Sequence, residues 1–384
     1  MARCLRLLVF FDMVNGTVAV GGSLRPMERL GIVGLPNAGK SALFNALTGG
    51  SAVVAPHPFS TTETNVGVAQ VADGRLDLLS AMSKSRKTVR ATVEVVDVAG
   101  LTAGSSTGEG MGNRFLAGIR ETDAVCLVLR AFEDEAVPGG TDPVEDLEVL
   151  ELELVLADAA TVEALVGRRR KAAKSDPAAR REVDALEMAA GVLEGGTPLY
   201  RASLPADVLA ALKPSFLLTA KPVLAVVNVG EDDVGELDAV VKPVADALGA
   251  HADVLGVCVQ LEAEAARLDR AERAELLEGL GLGEGALARV ASAAYHLLGR
   301  RTFFTTGDKE SRAWTFRAGA HAPECAGVIH SDLQRGFIRA EVIRWDELLE
   351  LGSWQAAKEA GRLRVEGKDY EVLDGDVLEI RFNV

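Results

Sequence analysis

The segment Gly34-Leu-Pro-Asn-Ala-Gly39-Lys40-Ser41 limits what this chain can fold into more than any other. It satisfies GxxxxGK[ST], follows the β-rich run Leu30–Val33 and opens an apolar-periodic stretch, Ser41–Leu47. A glycine-rich turn from strand to helix leaves successive backbone N–H groups aimed at one place, where the helix N-terminus adds positive potential. Nucleotide phosphates fit that place, so the context implies a P-loop in an α/β fold. Gly34, Asn37, Ala38, Gly39, Lys40, Ser41 and Ala42 are the expected nucleotide contacts. Lys40 would bridge β- and γ-phosphate oxygens, and the Ser41 hydroxyl would ligate Mg²⁺.

Further β-rich runs at Thr92–Val96, Ala124–Leu129, Pro222–Val227 and Val254–Val259 alternate with helical stretches, which implies a mostly parallel sheet covered on both faces. From about 140 to 214 this rhythm is interrupted. Leu147, Leu150, Leu154, Ala157, Thr161 and Leu165 recur at helical spacing, as do Val183, Leu186, Ala190 and Leu193. Leu150-Glu-Leu-Glu-Leu154 alone would also suit a strand. Between the two periodic runs lie Arg168, Arg169, Arg170, Lys171 and Lys174, followed by the turn signal Asp176-Pro177. The pattern predicts an antiparallel helical hairpin inserted into the sheet domain, with the basic run at its far end. A helix at Ala286–Leu298 closes the sheet domain. Residues 301–384 then read as short mixed strands around one helix, Trp345–Ala360, in an α+β module.

Asp97-Val-Ala-Gly100 follows the strand Thr92–Val96. A carboxylate at a strand C-terminus, where ligands of open α/β sheets collect, suits Mg²⁺ held through water, and the Gly100 N–H can sense the γ-phosphate. Thr61, with Thr62 as its neighbouring alternative, is the candidate metal and γ-phosphate threonine. Gly104, Gly108, Gly110 and Gly112 suggest a nucleotide-responsive loop. The site read from sequence therefore has Lys40, Thr61 and Gly100 as catalytic residues, with Ser41, Thr61 and Asp97 around Mg²⁺. Asn37 could also place a carbonyl oxygen beside a K⁺ ion, a second candidate cofactor. Asn228-Val229-Gly230-Glu231 stands where a guanine-binding fold carries NKxD, so Asn228, Val229 and Glu231 are the expected base-side residues, and the missing Lys and displaced carboxylate favour ATP.

With 41 Lys and Arg against 56 Asp and Glu, the formal net charge is −15, which argues against an extended nucleic-acid-binding face. The 4 cysteines lie far apart without CxxC or histidine neighbours, which suits free thiols in a reducing compartment. Residues 1–26 place Arg3 and Arg6 around the short apolar run Leu7–Phe11. They lack a cleavage signal and are too short to span a bilayer, so they are expected to be a non-essential extension before a nucleotide-binding domain at 27–300.

The series GLPNAGKSALFNAL, PFSTTETNVGV, DVAGL, GEGMGNRFLAGIRETDAV, LTAKPVLAVVNVGEDD and RAWTFRAGAHAPECAGVIHSDLQRGFIRAEV closely resembles the YchF or Obg-like ATPase family, from about residue 27 to the end. The resemblance implies a GTPase-type fold that hydrolyses ATP, a helical arm and a C-terminal TGS domain. It also implies a cytoplasmic protein associated with ribosomes, here expected to be a monomer without membrane contact. Two positions depart from the family: Ser60 replaces a frequent cysteine next to Thr61, and Leu127 replaces a frequent histidine. Leu101 occupies the place where many GTPases orient water with glutamine, so slow unassisted turnover is expected. A GTPase of the same fold, a nucleotide-binding scaffold with negligible hydrolysis and a small-molecule kinase are the alternatives. Only the first two fit the tail.

Overall fold

The structure is a computed structural model that describes residues 28–49, 53–54, 65–98, 111–134, 139–280, 282–283 and 285–383. Strands β1 (Arg29–Gly34), β2 (Val53–Val54), β3 (Asn65–Gln70), β5 (Thr92–Asp97), β6 (Ala124–Ala131), β7 (Val223–Val229) and β8 (Asp253–Val257) form the first sheet. Their order is β2-β3-β5-β1-β6-β7-β8. The run β5-β1-β6-β7-β8 is parallel, and β3 pairs antiparallel with both β5 and β2. β6 and β7 are buried almost throughout, which is why their sequences are continuously apolar rather than alternating. β1 lies between β5 and β6, and consecutive connections leave it in opposite directions. Its C-terminal end is the topological crevice in which ligands of such sheets bind.

The helices of this part are α1 (Lys40–Thr48), α2 (Gly74–Ser83), α3 (Met111–Arg120), α4 (Pro143–Arg169), α5 (Pro177–Glu194), α6 (Ala206–Leu212), α7 (Leu237–Leu248), α8 (Val259–Ala265), α9 (Arg270–Gly279) and α10 (Ala286–Leu297). One apolar core joins Leu30, Ile32 and Val128 to Leu43 and Phe44 of α1 and to Val290 and Tyr295 of α10. A second covers the opposite face, joining Val33, Leu127 and Leu129 to Phe115 and Ile119 of α3 and Leu150 of α4. β8 is shorter than the sequence suggests, because Val259 donates its N–H to Asn228 Oδ1 and starts α8 instead.

The inserted hairpin is α4 against α5. Asp142 caps α4 by accepting from Val144 N at 2.8 Å, Pro143 follows at a position that needs no donor, and Asp176-Pro177 repeats the device for α5. Val155, Val162, Leu186, Ala189 and Leu193 fill the hairpin's own core. Leu150–Leu154 is helical, since Leu150 and Leu154 share one buried face while Leu152 is exposed. Arg168 and Arg169 end α4, and Lys174 lies in the turn before α5.

The second sheet runs β12 (Arg364–Glu366), β11 (Phe337–Arg344), β13 (Asp376–Phe382), β9 (Arg300–Thr305), β10 (Ser311–Arg317) and β4 (Thr88–Val89). β4 comes from the nucleotide-binding part and pairs in parallel with β10. The apolar core beneath β1 continues through Phe304, Ile343, Leu348 and Val377 of this module, so the two sheets share packing. The expected single helix Trp345–Ala360 is two helices, α13 (Trp345–Leu351) and α14 (Trp354–Glu359). Gly352 takes a left-handed conformation (φ 75) that ends α13, and the Ser353 hydroxyl accepts from Ala356 N to start α14. Two further helices, α11 (Ala322–Ile329) and α12 (Ser331–Arg335), go beyond the sequence reading. Pro323 in the first turn of α11 and the Glu324 carboxylate on His321 N form a start signal hidden in a Gly/Ala-rich stretch.

Candidate nucleotide-binding site

The loop after β1 is shaped by two glycines. A Cβ on Gly34 would lie 2.5 Å from the Val128 carbonyl oxygen, so only glycine lets β1 leave the sheet this close to β6. Gly39 has φ 95 and caps α1, and a Cβ there would collide with Nδ2 of Asn228. Asn37 also has positive φ, 66, which asparagine tolerates better than most residues. The loop is thus bent into a cradle that ends on the α1 N-terminus.

Lys40 is 8% exposed, and its Nζ donates to the Leu35 carbonyl oxygen at 2.7 Å, folding the side chain back over the loop. Burial pushes its ammonium below the usual lysine range, while the carboxylates of Asp97 and Asp146 pull the other way. Ser41 Oγ donates to Asp97 Oδ2 at 2.9 Å. Burial raises the Asp97 carboxyl above the usual range, opposed by hydrogen bonds from Ser41 and Asn65 and by the charge of Lys40. Lys40 and Ser41 at the start of α1 and Asp97 at the end of β5, placed together by sequence reading, do converge.

Those oxygens suit Mg²⁺. It takes hard oxygen donors, keeps several waters and needs only one or two protein ligands beside the phosphates. Ser41 and Asp97 supply that minimum. Among the described residues no cluster of three or more Asp, Glu, His and Cys offers an all-protein cage. Thr61 and Gly100, along with Ser60, Thr62 and Leu101, lie outside the described residues.

On the base side, Asn228 closes the cradle. Its Nδ2 donates to the Ala38 carbonyl oxygen at 3.1 Å and its Oδ1 accepts from Val259 N at 3.2 Å, so one buried amide ties β7, the phosphate loop and the start of α8 together. Val229 packs in the core and Glu231 is exposed in the turn that follows. Leu127 is fully buried beside Phe115 and Ile119, on the sheet face opposite α1.

Asp146 escapes sequence reading. It sits in the first turn of α4, accepts from Arg130 N at 2.9 Å, and its charge is felt by Lys40. Nothing in the local pattern distinguishes it from the neighbouring Asp142 and Glu145. Only the pairing of Arg130 with Asn228 brings it to the site.

A family model described as a 50S ribosome-binding GTPase matches residues 29–165. A second, YchF-GTPase_C, described as a protein of unknown function (DUF933), matches residues 301–383. The chain is 46% identical over 361 residues to the ribosome-binding ATPase YchF of Bacillus subtilis, covering 92% of this chain and 99% of that protein. It is 47% identical over 363 residues to the protein of the same name from Haemophilus ducreyi, covering 93% and 99%. Among solved structures, the YchF GTPase of Schizosaccharomyces pombe superposes with a TM-score of 0.80 at 32% identity, covering 93% of this chain and 99% of that one.

Proposed function

This chain belongs to the YchF family, and from that premise we propose that it is a Mg²⁺-dependent ATPase acting as a nucleotide-dependent switch on ribosomes. The observation that carries the reading is the convergence of Lys40, the Ser41–Asp97 pair and the α1 N-terminus on one crevice. Ser41 and, through water, Asp97 would hold Mg²⁺, which would supply positive charge to the phosphates. Lys40 leaves Leu35 to lie along the same oxygens, and the backbone amides from Asn37 to Ser41 preorganise the phosphates for attack by water on the γ-phosphorus. Thr61 and the Gly100 N–H are proposed to complete the γ-phosphate shell. Leu101 cannot align the water, so turnover is slow until a partner assists.

The names of the relatives divide between ATPase and GTPase, so base choice is argued from this chain. Guanine selection in this fold uses a Lys beside the base and an Asp that accepts from N1–H and N2–H₂. Here Val229 is a core residue, and Glu231, one methylene longer than Asp, is displaced into an exposed turn. A mispaired polar group costs about 1–3 kcal/mol, equivalent to roughly tenfold or more discrimination. Calorimetry should give tighter binding of ATP than GTP, and phosphate release should stop in Lys40→Ala. Equal or preferential GTP affinity overturns the base assignment, and phosphate release that survives Lys40→Ala overturns the site.

The cytoplasm follows from a ribosomal partner, and no helix of the described residues is long and apolar enough to cross a membrane. The C-terminal α+β module, read as a TGS domain, and the hairpin arm are the proposed partner-facing parts of a monomer.

A further inference from the structure

We propose that Asn65 is a positioning residue for the metal site, an uncharged donor that fixes how the Asp97 carboxylate faces the ion. That Asp97 faces an ion at all rests on the Mg²⁺ reading above. Asn65 and Asp97 form the end pair of the antiparallel ladder between β3 and β5. Residues directly opposite in such a ladder share a face, with Cβ atoms about 4.5–5.5 Å apart. The Asn65 side chain uses that closeness to hydrogen-bond the Asp97 carboxylate, to which only its amide N–H₂ can donate.

Asn65 itself has little room to move. Its backbone is paired with Val54 of β2 on one side and with Asp97 of β5 on the other. Two residues along, Gly67 is pressed so close to α1 that a Cβ there would lie 2.3 Å from Thr48 Cγ2 and 3.0 Å from Phe44 Cζ. Alternate residues of a strand share a face, so Asn65 lies on the side of the sheet that α1 covers. Ser41, in the first turn of α1, donates to Asp97 Oδ2 at 2.9 Å. The carboxylate is thus held by two donors from two elements, β3 and α1, which restricts its rotation.

The kind of donor matters. Lys or Arg at position 65 would form an ion pair with Asp97 and repel a divalent cation. Asp or Glu would bring a second charge without a proton to donate. An amide orients the carboxylate and leaves its charge for the ion, as outer-shell partners do at metal centres. Asn65 also stands four positions beyond Thr61, the threonine proposed for the same ion. One stretch of chain would then carry a direct ligand and the group that aims the Asp97 carboxylate.

The test is calorimetric ATP binding with Mg²⁺ and again with EDTA, on parent, Asn65→Ala, Asn65→Leu and Asp97→Ala. The ratio of the two affinities measures how far the ion strengthens nucleotide binding. In both Asn65 variants that ratio should fall about ten- to a hundredfold, the usual loss when an outer-shell partner is removed. Affinity in EDTA should stay at the parent value, because the phosphate loop is untouched. Leucine keeps nearly the shape of asparagine without its donor, so agreement between the two variants separates the lost hydrogen bond from a packing defect. An unchanged ratio in the Asn65 variants, with a collapsed ratio in Asp97→Ala, overturns the proposal and leaves the Mg²⁺ reading standing. Equal losses in Mg²⁺ and in EDTA also overturn it, since Asn65 then only supports the loop. No ion-dependent gain in parent, or none lost in Asp97→Ala, overturns the Mg²⁺ reading, and the role of Asn65 falls with it.

Discussion

Asn228 and Ala38 are joined across the sheet by a hydrogen bond of 3.1 Å from the side-chain amide of one to the main-chain carbonyl of the other. Because Val259 N already occupies the Asn228 Oδ1, both ends of the amide hold protein, and its leverage is on the phosphate loop. Asn228→Ala leaves a buried carbonyl and a buried N–H without partners, at a cost of about 1–3 kcal/mol each. Affinity for ATP and GTP should fall together, by roughly ten- to a hundredfold, with the ratio between them unchanged. A calorimetric series in which only one nucleotide weakens would mean that Asn228 reads the base itself.

Lys221 gives the stability a pH signature. Its Nζ donates to the carbonyl oxygens of Arg120, the last residue of α3, and of Thr122 just beyond it, and burial pulls its pKa from 10.5 down to about 8 against the attraction of Asp123 and Asp158. The folded pKa is lower than the unfolded one, so between about 8 and 10.5 the unfolded chain binds more protons at this site. In that window its contribution to stability rises with pH, and below about 8 it is flat. Partial exposure limits the gain to about 1–3 kcal/mol. Urea midpoints measured across this range should climb for parent relative to Lys221→Met. Parallel curves would place the lysine at its ordinary value.

The phosphate loop and Asp97 were legible in sequence because their chemistry is written in short contiguous runs: glycines where backbone approaches backbone, and a carboxylate at the end of a β-rich segment. The hairpin was legible because its caps, Asp142-Pro143 and Asp176-Pro177, are local as well. What could not be read depends on pairing across distance. β4 offers only two strand residues, and nothing in Thr88-Val89 announces that β10, more than two hundred residues later, will adopt them. Asp146 gains its place near Lys40 from strand register, and the paired roles of Asn228 need α8 to begin at Val259. Sequence merges α13 and α14 into one helix, Trp345–Ala360, because the apolar period survives the break that Gly352 and Ser353 impose.

Potassium should matter at Asn37. Its left-handed conformation turns the loop beside the phosphates, three residues before Lys40. A monovalent cation held by its side-chain oxygen would add the charge that an arginine finger supplies elsewhere, partly offsetting Leu101. Hydrolysis in KCl should exceed that in NaCl severalfold at equal ionic strength, and Asn37→Ala should remove the difference. Identical rates in the two salts would leave Asn37 as a turn residue only.

Leu127 points to a different outcome from the one its resemblance suggests. It is fully buried between Val33 of β1 and Ala225 of β7, within the apolar core that α3 covers. Restoring the family's histidine by Leu127→His would bury an imidazole among aliphatic side chains, at a cost of about 1–3 kcal/mol. Thermal unfolding should move several degrees lower with no gain in phosphate release. A variant that keeps its stability and hydrolyses faster would show that the ring finds a path to the nucleotide.

The arm tip carries the last prediction. Arg169 and Arg170 reach across the turn to Glu182 and Glu187 of α5, and Arg168 donates to the Ala164 carbonyl oxygen of its own helix. Cations at a helix C-terminus are also favoured by the helix dipole, so these three have a structural use on their own. Among the described residues Lys171 and Lys174 have no such partner, and both are exposed, as are Arg180 and Arg181 in the first turns of α5. The hairpin has its own apolar core, so changing its tip should leave the sheet and ATP affinity intact. Serine at Arg168, Arg169, Arg170, Lys171 and Lys174 should weaken co-sedimentation with ribosomes in the presence of ATP and flatten its salt dependence. Lys171→Ser with Lys174→Ser alone should reproduce about two fifths of that flattening, two of five neutralised phosphates at roughly 0.9 each. If the five-fold variant pellets like parent across the titration, the tip is a solvated turn and the ribosome contact lies elsewhere on the chain.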